Sequence, residues 1–439
     1  MSDKIPAGKG RGASLLKTSS LVVGARISGA FVGVLTQMLL ARLLSAPEIG
    51  VFFFATSLAA VLAIICTLGY PMLMPKIAAE AQAGGVPSLL RTFVSRARTD
   101  AALLCGLSVA ALAAIAGGVP DDVGVPRTAL IFAALTLPAF ALLRLNGSLA
   151  NAQRRFELGF LPDLFLRPVL LLALVLGLWA ASPALSIETV LAGHVAIAAG
   201  LAVWQMRRLA GRRHSEAMVP HEDSAALAAD WRRRAAPLVI AALFIGVFAD
   251  LDIVLASLFL DGEQLGVFGV CLKISLFTGF GIQAVHQLIL RDTADALRTD
   301  DARSTHAVMA RANLLSLIGS VGAAIVVLVA GREILGFFGE EFVAGYGCLV
   351  LLMLAQVVRA AAGPATQVLT LSGHEKACLP VFLTSLVALA ASNAVFIQVW
   401  GLLGAATAVL AVSALWSGWL AVLAHRKLGL NTAVIFASR

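Results

Sequence analysis

The chain consists largely of apolar blocks, each about as long as a helix that crosses a bilayer. Twelve blocks follow one another, at 18–41, 48–72, 99–119, 128–148, 158–180, 188–206, 237–260, 265–290, 312–330, 345–369, 379–399 and 402–424. A helix needs about 20 apolar residues to cross the hydrocarbon core. Only 13% of the residues are charged, against about 25% in soluble domains. The sequence therefore predicts an all-α polytopic membrane protein with about 12 transmembrane helices.

The basic residues are distributed unevenly between the loops on the two sides of the membrane. Of 33 Lys and Arg residues, only Arg42, Arg127 and Arg332 fall in odd-numbered loops, and most of the others lie in the tails and even-numbered loops. Because loops rich in Lys and Arg stay in the cytoplasm, we predict an inner (plasma) membrane protein with both termini cytoplasmic. The net charge is +8, but the basic residues are spread over these short loops and no aromatic surface accompanies them. This distribution argues against a nucleic-acid partner.

One long polar segment divides the blocks into six and six. It covers residues 207–234 and carries seven arginines. We therefore predict an N-terminal six-helix bundle over 1–206, a basic cytoplasmic linker over 207–236 and a C-terminal six-helix bundle over 237–439. The arginines of the linker are expected to fix the topology and to contact anionic lipid headgroups. A regulatory or partner-binding role is the alternative.

A short phrase occurs once in each half, at the turn between the first and second helix. It reads SAPEIGVFFF at 45–54 and DGEQLGVFGV at 261–270. In each copy a capping residue precedes Glu or Gln by three positions, the spacing of a helix-capping box. Gly50 and Gly266 follow at the same offset, and small residues allow close helix packing in membranes. Capping alone can make two turns look alike by chance, but the shared Gly-Val-Phe favours an internal repeat.

The repeat predicts how the two halves are arranged. Because six is an even number of helices, both halves enter the bilayer in the same orientation, and we expect a pseudo-two-fold axis along the membrane normal. Parallel repeats of this kind occur in secondary transporters, whose substrate site lies between the halves near the midplane. The site is therefore expected among charged residues on the helices that meet at the two turns.

Four longer stretches resemble one known family of membrane proteins. They are LLARLLSAPEIGVFFFATSLAAVLAIICTLGYPMLMPKIAAE at 39–80, NGSLANAQRRFELGFLPDLFLRPVLLLAL at 146–174, LSGHEKACLPVF at 371–382 and WGLLGAATAVLAVSALWSGWLAV at 400–422. In order and position they are similar to Wzx-type polysaccharide and O-antigen flippases, which belong to the MATE-like superfamily of multidrug, oligosaccharidyl-lipid and polysaccharide exporters. The resemblance extends over nearly the whole chain and consists of small, apolar and turn residues.

The resemblance implies two six-helix bundles that alternate between inward-open and outward-open states. It also implies a function: flipping undecaprenyl-pyrophosphate-linked oligosaccharide repeat units from the cytoplasmic to the periplasmic leaflet, for O-antigen, capsule or exopolysaccharide synthesis. The expected partners are this lipid-linked oligosaccharide, membrane lipids, and a polysaccharide polymerase and chain-length regulator. A MATE-type drug or cation antiporter is the alternative. Its cavity should be acidic or apolar, since its usual substrates are cations.

Charged residues inside the apolar blocks are the candidates for the site, because a charge at bilayer depth is costly and normally faces a cavity or a partner. Arg26, Lys273 and Arg359 are the candidate substrate-binding residues, since a diphosphate-linked sugar is dianionic and Arg matches phosphate geometry. For Arg26, snorkelling to the cytoplasmic surface is the alternative. For Lys273 the alternative is an ion pair with Asp252, because the two lie at a similar depth of roughly 12–14 Å on either side of one turn.

Asp250 and Asp252 are the candidate ion-coupling residues, for protons or sodium ions. Asp250 has no obvious partner in the sequence, and a carboxyl group in a medium of low dielectric is prone to take up a proton. Hydrogen bonding to a neighbouring helix is the alternative for this side chain. No other cofactor and no metal site is expected.

Three further charged positions are interpreted as structural. Asp163 and Arg167 are four apart, hence on one helix face, and are expected to pair near the cytoplasmic end of the fifth helix. Arg144 is placed with Arg154 and Arg155 at the cytoplasmic edge of the fourth and fifth helices. None of these residues is expected to bind substrate.

Two other sets of residues are expected to play a packing role. Polar side chains occur in the first and eighth helices, at Gln37, Gln283, His286 and Gln287. We expect His286 to be packed and hydrogen-bonded, with a proton relay as the alternative. The five cysteines form no CxxC pair and are expected to be small buried apolar side chains; they are Cys66, Cys105, Cys271, Cys348 and Cys378.

The sequence argues against an enzyme. A membrane polysaccharide polymerase or ligase usually needs a sizeable periplasmic loop for its reactive groups. The longest outside loop, GREILGFFGEEFVA, has 14 residues, and its adjacent Glu340 and Glu341 hardly flank one glycosidic bond. The chain also contains no P-loop, HExxH or GxSxG motif.

Overall fold

The computed structural model describes residues 9–118, 126–182, 185–210, 221–288, 302–430 and 432. Within these residues nearly all of the chain is helical and no strand occurs. Eleven helices have the length and apolar composition needed to cross a membrane, and Ser28–Leu43 is a shorter apolar helical stretch that precedes them. The predicted fold class, an all-α multi-pass membrane protein, is confirmed.

The helices follow the predicted blocks. In the first half they are α1 (Lys9–Leu43), α2 (Ala46–Cys66), α3 (Tyr70–Ala83), α4 (Pro87–Gly118), α5 (Arg127–Ala152), α6 (Phe156–Leu161), α7 (Arg167–Ala181) and α8 (Ile187–Ala210), with a π-helical turn at Pro162–Leu166. The segment between the halves contains α9 (His221–Ala235). In the second half they are α10 (Leu238–Ala256), α11 (Gly262–Leu288), α12 (Ala302–Gly336), α13 (Tyr346–Ala362), α14 (Ala365–Leu371), α15 (Glu375–Trp400) and α16 (Leu402–Leu428), with a 3-10 turn at Glu340–Gly345.

Two of the predicted blocks, 48–72 and 345–369, are each interrupted by a turn. Gly69 has a left-handed conformation with a φ of 72° between α2 and α3, and Gly363 has a φ of 72° after α13. Pro364 follows Gly363 and precedes α14. Because a proline has no N–H, it cannot form the hydrogen bond that would continue α13. Because the residues on both sides of each turn are apolar, hydropathy alone treats each pair of helices as one.

The helices pack as two groups, with α2 at the contact between them. Most of the helices α1 to α8 contact mainly one another, as do most of α10 to α16, whereas α2 packs along α10 and α11 at least as extensively as along its own group. Buried apolar side chains from both groups form one continuous cluster that includes Phe53, Phe268 and Leu349. Lipid tails are as apolar as these side chains, so helices in a membrane are held together mainly by close packing and hydrogen bonds.

The two copies of the repeated phrase contact each other at one end of this interface, here called the hairpin end. A Cβ atom added to Gly50 would lie against the carbonyl oxygen of Gly262, and one added to Gly266 would lie against that of Ala46. Helices α2 and α11 therefore meet backbone to backbone, an approach that requires residues without a Cβ. The close packing predicted at Gly50 and Gly266 is confirmed, and each glycine packs against the other copy.

Hydrogen bonds fix the two turns at the hairpin end. The Glu48 carboxylate accepts a hydrogen bond from the backbone N–H of Ser45 at 2.8 Å, and the Asp261 carboxylate accepts one from the backbone N–H of Gln264 at 2.8 Å. Each bond satisfies an N–H group at a helix start that has no partner within its helix. These are capping contacts of the kind that the spacing predicts.

Arg42, at the end of α1, connects the two groups across the hairpin end. Its Nε donates a hydrogen bond to the carbonyl oxygen of Phe337 at 2.8 Å, and its Nη2 donates one to that of Gly336 at 3.2 Å. These carbonyl groups lie at the C-terminus of α12, where the last carbonyls lack partners within the helix and a positive charge is favourable. Arg42, which the sequence assigns to a loop, thus lies in the last turn of α1 and binds a helix end of the other group.

Helix α9 packs against the first group at the opposite end of the bundle, here called the linker end. Trp231 is 2% exposed, and its ring centroid lies 5.2 Å from that of Phe93. Arg232 donates two hydrogen bonds to the Asp100 carboxylate, at 2.6 and 2.8 Å, and the Tyr70 hydroxyl donates a third at 2.6 Å. The bonds to Asp100 stabilise the charged guanidinium and so raise the pKa of Arg232. Part of the predicted linker is therefore a docked helix.

An ion pair joins the two groups at the linker end. Lys76 Nζ of α3 lies 2.5 Å from Glu375 Oε1 of α15, and the side chains are 52% and 45% exposed. Gly69 also lies against the chain that leads from α9 into α10, where an added Cβ atom would lie against the carbonyl oxygen of Ala235, at the end of α9, and 3.1 Å from the Cβ of Leu238. Contacts across this end therefore combine a half-exposed ion pair with local packing.

Candidate functional site

A cavity of about 280 Å³ lies between the two groups of helices. Helices α1, α2, α5, α7 and α8 and the π-helical turn form its wall on one side, and α10 and α11 form the other. Its charged lining residues are Arg144, Asp163, Arg167, Asp250 and Lys273. Polar and aromatic side chains in the wall include Thr36, Gln37, Thr56, His194, Phe52, Phe53 and Phe140. The cavity lies between the halves, where the internal repeat leads us to expect a site.

Asp250 links the two groups inside the cavity. Lys273 Nζ of α11 donates a hydrogen bond to Asp250 Oδ1 at 3.2 Å, and Ser57 Oγ of α2 donates one to the same oxygen at 3.0 Å. The Lys273 and Asp250 side chains are 23% and 24% exposed. One carboxylate oxygen therefore accepts hydrogen bonds from a lysine of its own group and a serine of the other.

The π-helical turn at Pro162–Leu166 directs a second ion pair into the cavity. Arg167 Nη2 lies 3.1 Å from Asp163 Oδ1, at the predicted spacing of four residues. The Arg167 guanidinium also lies over the ring of Phe140, 4.8 Å from its centre. π-helical turns inside α-helices are frequent at functional sites. The predicted pair is confirmed, but it lines the cavity and so belongs to the candidate site.

Arg144 of α5 is the positive charge that remains once both carboxylates are paired. Among the described residues Arg144 forms no salt bridge, and its Nε is buried without a hydrogen-bond partner. Its Nη2 reaches α10, where an added Cβ atom on Gly246 would lie 3.3 Å away. The next residue, Val247, has non-helical φ and ψ of −144° and 29°, so α10 is kinked at this contact. The described charges of the cavity therefore sum to one positive charge.

The pairing of Lys273 differs from the sequence-based expectation. From the sequence, an ion pair with Asp252 is the alternative to substrate binding for Lys273 and Asp250 has no partner, whereas in the structure Lys273 pairs with Asp250. Asp252 is fully buried and accepts a hydrogen bond from Asn393 Nδ2 of α15 at 2.7 Å. Residues two apart on a helix do not share a face, so only one of the two aspartates faces the cavity. Because Asp250 and Asp252 lie at nearly the same depth in the membrane, depth alone cannot tell which of them pairs with Lys273.

Arg359 lies within the second group and is not among the described residues that line the cavity. Its guanidinium lies 5.4 Å from the centre of the Trp416 ring, and its Nη1 donates a hydrogen bond to Gln356 Oε1 at 3.3 Å. Arg359 and Lys273 are therefore not brought together. The side chain of Arg26 falls outside the described residues, as do those of His286 and Gln287.

Besides Asp163 and Arg167, which the sequence marks only as a structural pair, the cavity residues Arg144 and His194 are missed by sequence analysis. The sequence places Arg144 at the membrane edge, yet it lines the cavity, because α5 continues to Ala152 and leaves Arg144 about two turns inside the helix. Arg154 and Arg155 do lie in the turn after α5. His194 of α8 belongs to no motif, and a lone histidine in an apolar block carries no signal of its surroundings. The length of α5 is the signal that could have identified Arg144.

The described residues contain no group of three or more His, Cys, Asp or Glu side chains that could hold a metal ion. The five cysteines are free and buried, as the sequence predicts. They therefore act as small apolar side chains in the packing between helices.

No family model and no curated protein matches this sequence. Its structure is similar to that of a multidrug resistance MATE family transporter of the MOP superfamily in an inward-facing conformation, with a TM-score of 0.67 and 13% identity over 93% of this chain and 94% of that chain. It is also similar to the lipid II flippase MurJ in an inward closed conformation, with a TM-score of 0.64 and 12% identity over 92% of this chain and 87% of that chain.

A third similar structure is a MOP superfamily transporter from Pyrococcus furiosus, for which a reversed polarity of the binding pocket suggests a different function. The TM-score is 0.60, with 11% identity over 93% of this chain and 95% of that chain. What this chain shares with all three is the fold. The chain therefore has the fold of MATE-like transporters and flippases, and it is a multi-pass membrane protein.

Proposed function

We propose that this protein flips a lipid-linked oligosaccharide between leaflets by alternating access of its two groups of helices. The proposed cargo is an undecaprenyl-pyrophosphate-linked repeat unit, moved from the cytoplasmic to the periplasmic leaflet for O-antigen, capsule or exopolysaccharide synthesis. The observation that carries the proposal is Arg144, a cavity arginine that forms no salt bridge among the described residues. The similarity in fold to a lipid II flippase supports a lipid-linked cargo.

A diphosphate headgroup matches the charges of the cavity. Arg144 offers a planar fork of N–H donors, which suits phosphate oxygens. Arg167 lies in the same wall as Arg144 and Lys273 lies in the opposite wall, in pairs at 3.1 and 3.2 Å from their carboxylates. A dianionic ligand beside Arg144 would attract both of these side chains as well. Lys273 thus remains a proposed substrate contact.

Arg26 and Arg359 also remain proposed substrate contacts. Arg359 has no carboxylate within salt-bridge distance among the described residues and lies beside Trp416. Arg359 would contact the cargo in a second conformation of the protein, in which the cavity extends as far as this arginine. We expect Arg359→Ala to impair export.

Asp250 and Asp252 remain the proposed sites of proton or sodium coupling. Asp250 accepts hydrogen bonds from both groups of helices, so neutralising its charge would weaken a contact between them. Asp252 is buried, and its Oδ2 has no hydrogen-bond partner among the described residues. Either carboxyl group could therefore bind an ion that accompanies transport.

A drug or cation antiporter of the same fold is the second candidate function. The two carboxylates of the cavity, Asp163 and Asp250, favour it, because a cationic cargo needs an acidic partner. Each of them is already paired with a basic residue, and the charge of Arg144 would repel a cation nearby. An anionic cargo is therefore the better match.

The direct test is a flipping assay with the purified full-length protein in liposomes. The probe is a fluorescent undecaprenyl-diphosphate disaccharide, and a membrane-impermeant quencher reports its movement between leaflets. We expect Arg144→Gln to slow flipping by about tenfold or more, the effect of losing about 1.4 kcal/mol or more of binding free energy. Arg332→Gln is the matched control, since Arg332 lies over the ring of Tyr346 outside the cavity. Equal flipping by wild type and Arg144→Gln would contradict the proposal.

Deletion of the gene in the source bacterium distinguishes the two candidate functions. A flippase mutant is expected to retain lipid-linked repeat units in the inner leaflet and to lose surface polysaccharide. Normal surface polysaccharide together with changed sensitivity to cationic dyes would instead support the antiporter.

The membrane, orientation and partners are part of the same proposal. We place the protein in the inner membrane with both termini in the cytoplasm, as the distribution of basic residues favours. A reporter enzyme that is active only in the cytoplasm, fused after Arg439, tests the orientation. A polysaccharide polymerase and a chain-length regulator act on flipped repeat units, and we propose them as functional partners.

A further inference from the structure

His194 lies in the wall of the cavity between two phenylalanines. Its ring centroid is 5.8 Å from that of Phe52 and 5.8 Å from that of Phe140, with interplanar angles of 84° and 72°. All three side chains line the cavity. His194 is only 5% exposed and both of its ring nitrogens are buried, so packing holds the ring in place in the cavity wall.

Neither ring nitrogen of His194 has a hydrogen-bond partner among the described residues. A neutral imidazole carries one N–H donor and one acceptor nitrogen, and burying such atoms unpaired is destabilising. The flanking rings of Phe52 and Phe140 have no nitrogen or oxygen to offer. An unpaired buried polar group calls for an explanation, and its position in the cavity wall points to a ligand.

We propose that His194 binds a hydroxyl group of the first sugar of the cargo, next to the diphosphate. This inference rests on the proposed function and adds a specific subsite to it. A sugar hydroxyl both donates and accepts hydrogen bonds, which matches the donor and the acceptor of a neutral imidazole. Binding pockets typically combine aromatic walls with a few polar groups that fix the orientation of the ligand. Phe52 and Phe140 are such walls, facing the apolar C–H surfaces of a sugar ring.

The geometry places this subsite beside the cationic residues. Arg167 lies over the ring of Phe140, 4.8 Å from its centre, and the same ring flanks His194. A diphosphate held by Arg144 and Arg167 would therefore have its attached sugar near His194. Charge would select the diphosphate, and His194 would recognise the group bonded to it.

Binding to the purified full-length protein in detergent tests the inference with matched probes. They are undecaprenyl diphosphate without a sugar and the same lipid carrying either N-acetylglucosamine or galactose. Wild type is expected to bind at least one sugar-bearing probe about tenfold more tightly than the bare lipid, the size expected for one or two hydrogen bonds. His194→Leu is expected to lose this preference and to keep wild-type affinity for the bare lipid. His194→Gln keeps a donor and an acceptor, so it should retain part of the preference.

Thermal unfolding without a probe separates a binding role from a structural one. Replacing an unpaired polar group by an apolar one should leave the Tm unchanged or raise it, so we expect no decrease in Tm for His194→Leu. His194→Met, whose flexible side chain fills irregular gaps, is the second apolar variant and should lose the same preference. His425→Leu, at an exposed position near the end of α16, is the control and should change neither measurement.

Each outcome bears on one of the two proposals. Loss of the sugar preference in both apolar variants, with part of it kept in His194→Gln, supports the sugar contact. A preference that persists in His194→Leu, or its absence in wild type for both sugars, overturns the sugar contact and leaves the proposed function standing. If wild type does not bind undecaprenyl diphosphate at all, the proposed function fails and this inference fails with it.

Discussion

The interface between the two groups of helices is built differently at its two ends. At the hairpin end, α2 and α11 meet backbone to backbone at Gly50 and Gly266, and Arg42 donates hydrogen bonds to the end of α12. At the linker end, a half-exposed ion pair between Lys76 and Glu375 joins α3 to α15, and Gly69 contacts the backbone only where α9 leads into α10. Backbone contacts leave no room for an added atom, whereas an exposed ion pair contributes about 0–1 kcal/mol and is screened by salt.

This difference indicates which end separates more easily. Water and ions can replace a half-exposed ion pair at little cost, but separating two backbones in contact gives up many close packing contacts at once. We therefore expect the groups to move apart at the linker end at a lower free energy than at the hairpin end. The strong contacts of the linker end are those of α9, which attach this helix to the first group.

The largest effect is expected for Trp231→Ala, which tests the strength of the α9 contact. Removing a buried aromatic side chain costs about 3–5 kcal/mol, so α9 should lose much of its protection from hydrogen exchange. Mass spectrometry of the backbone amides over residues 226–235 measures this. Trp400→Ala, at a position that is 54% exposed, is the control. Unchanged protection in Trp231→Ala would mean that α9 is held by other contacts.

Gly266→Ala should destabilise the hairpin end. The added Cβ would lie against the carbonyl oxygen of Ala46, and overpacking of this kind costs about 1–3 kcal/mol. Thermal unfolding in detergent is the measurement. Gly106→Ala is the matched control, because a Cβ at Gly106 meets no atom within 4 Å and alanine favours a helix by about 1 kcal/mol over glycine. Equal Tm values for the two variants would argue against the tight contact.

Arg42→Gln should allow the hairpin end to open more often. Losing its hydrogen bonds at an exposed position is expected to cost about 1 kcal/mol, which corresponds to roughly fivefold more frequent opening. The rate at which a thiol reagent labels the buried Cys271 of α11 reports this opening. Arg332→Gln, at the same end, is the control, since Arg332 contacts Tyr346 of its own group. A labelling rate no faster than in this control would show that Arg42 does not help to hold the hairpin end closed.

The smallest effect is expected for Lys76→Gln. At low salt it should speed labelling of the buried Cys378, at the start of α15, by less than about fivefold, since an exposed ion pair contributes at most about 1 kcal/mol. In about 1 M salt, where the Debye length is roughly 3 Å, wild type and variant should be labelled at similar rates. An effect larger than that of Arg42→Gln would reverse the comparison between the two ends.

The fold could be predicted largely from the sequence because the bilayer imposes a length and an apolar composition on every helix that crosses it. The twelve blocks and the close packing at Gly50 and Gly266 follow from such local rules. The breaks at Gly69 and Gly363 do not follow from these rules, because the helices before and after each break are both apolar. The two glycines of the repeat pack against each other. This contact belongs to the tertiary structure, and no local sequence pattern predicts it.

The candidate site was less predictable, because it depends on helix faces as well as depth. The sequence identifies both Lys273 and Asp250 as site candidates, but their pairing requires Asp252 to face away from the cavity. The kink at Val247 lies beside the contact with Arg144, and the sequence around it gives no sign of either. His194 gave no signal because a histidine in an apolar block can equally be a satisfied core residue.

Under the proposed function, the two neutral ion pairs of the cavity also determine how the membrane voltage would act on the protein. With a neutral His194, the described side chains of the empty cavity carry one positive charge, and a dianionic diphosphate would change this to one negative charge. Exposing the cavity to the other side of the membrane moves that charge through the potential, which is worth about 2.3 kcal/mol per elementary charge per 100 mV. An inside-negative voltage would therefore favour the outward-facing state when the protein is loaded and the inward-facing state when it is empty. Under the proposed function, the single charge of Arg144 would let the resting potential give the transport cycle a direction.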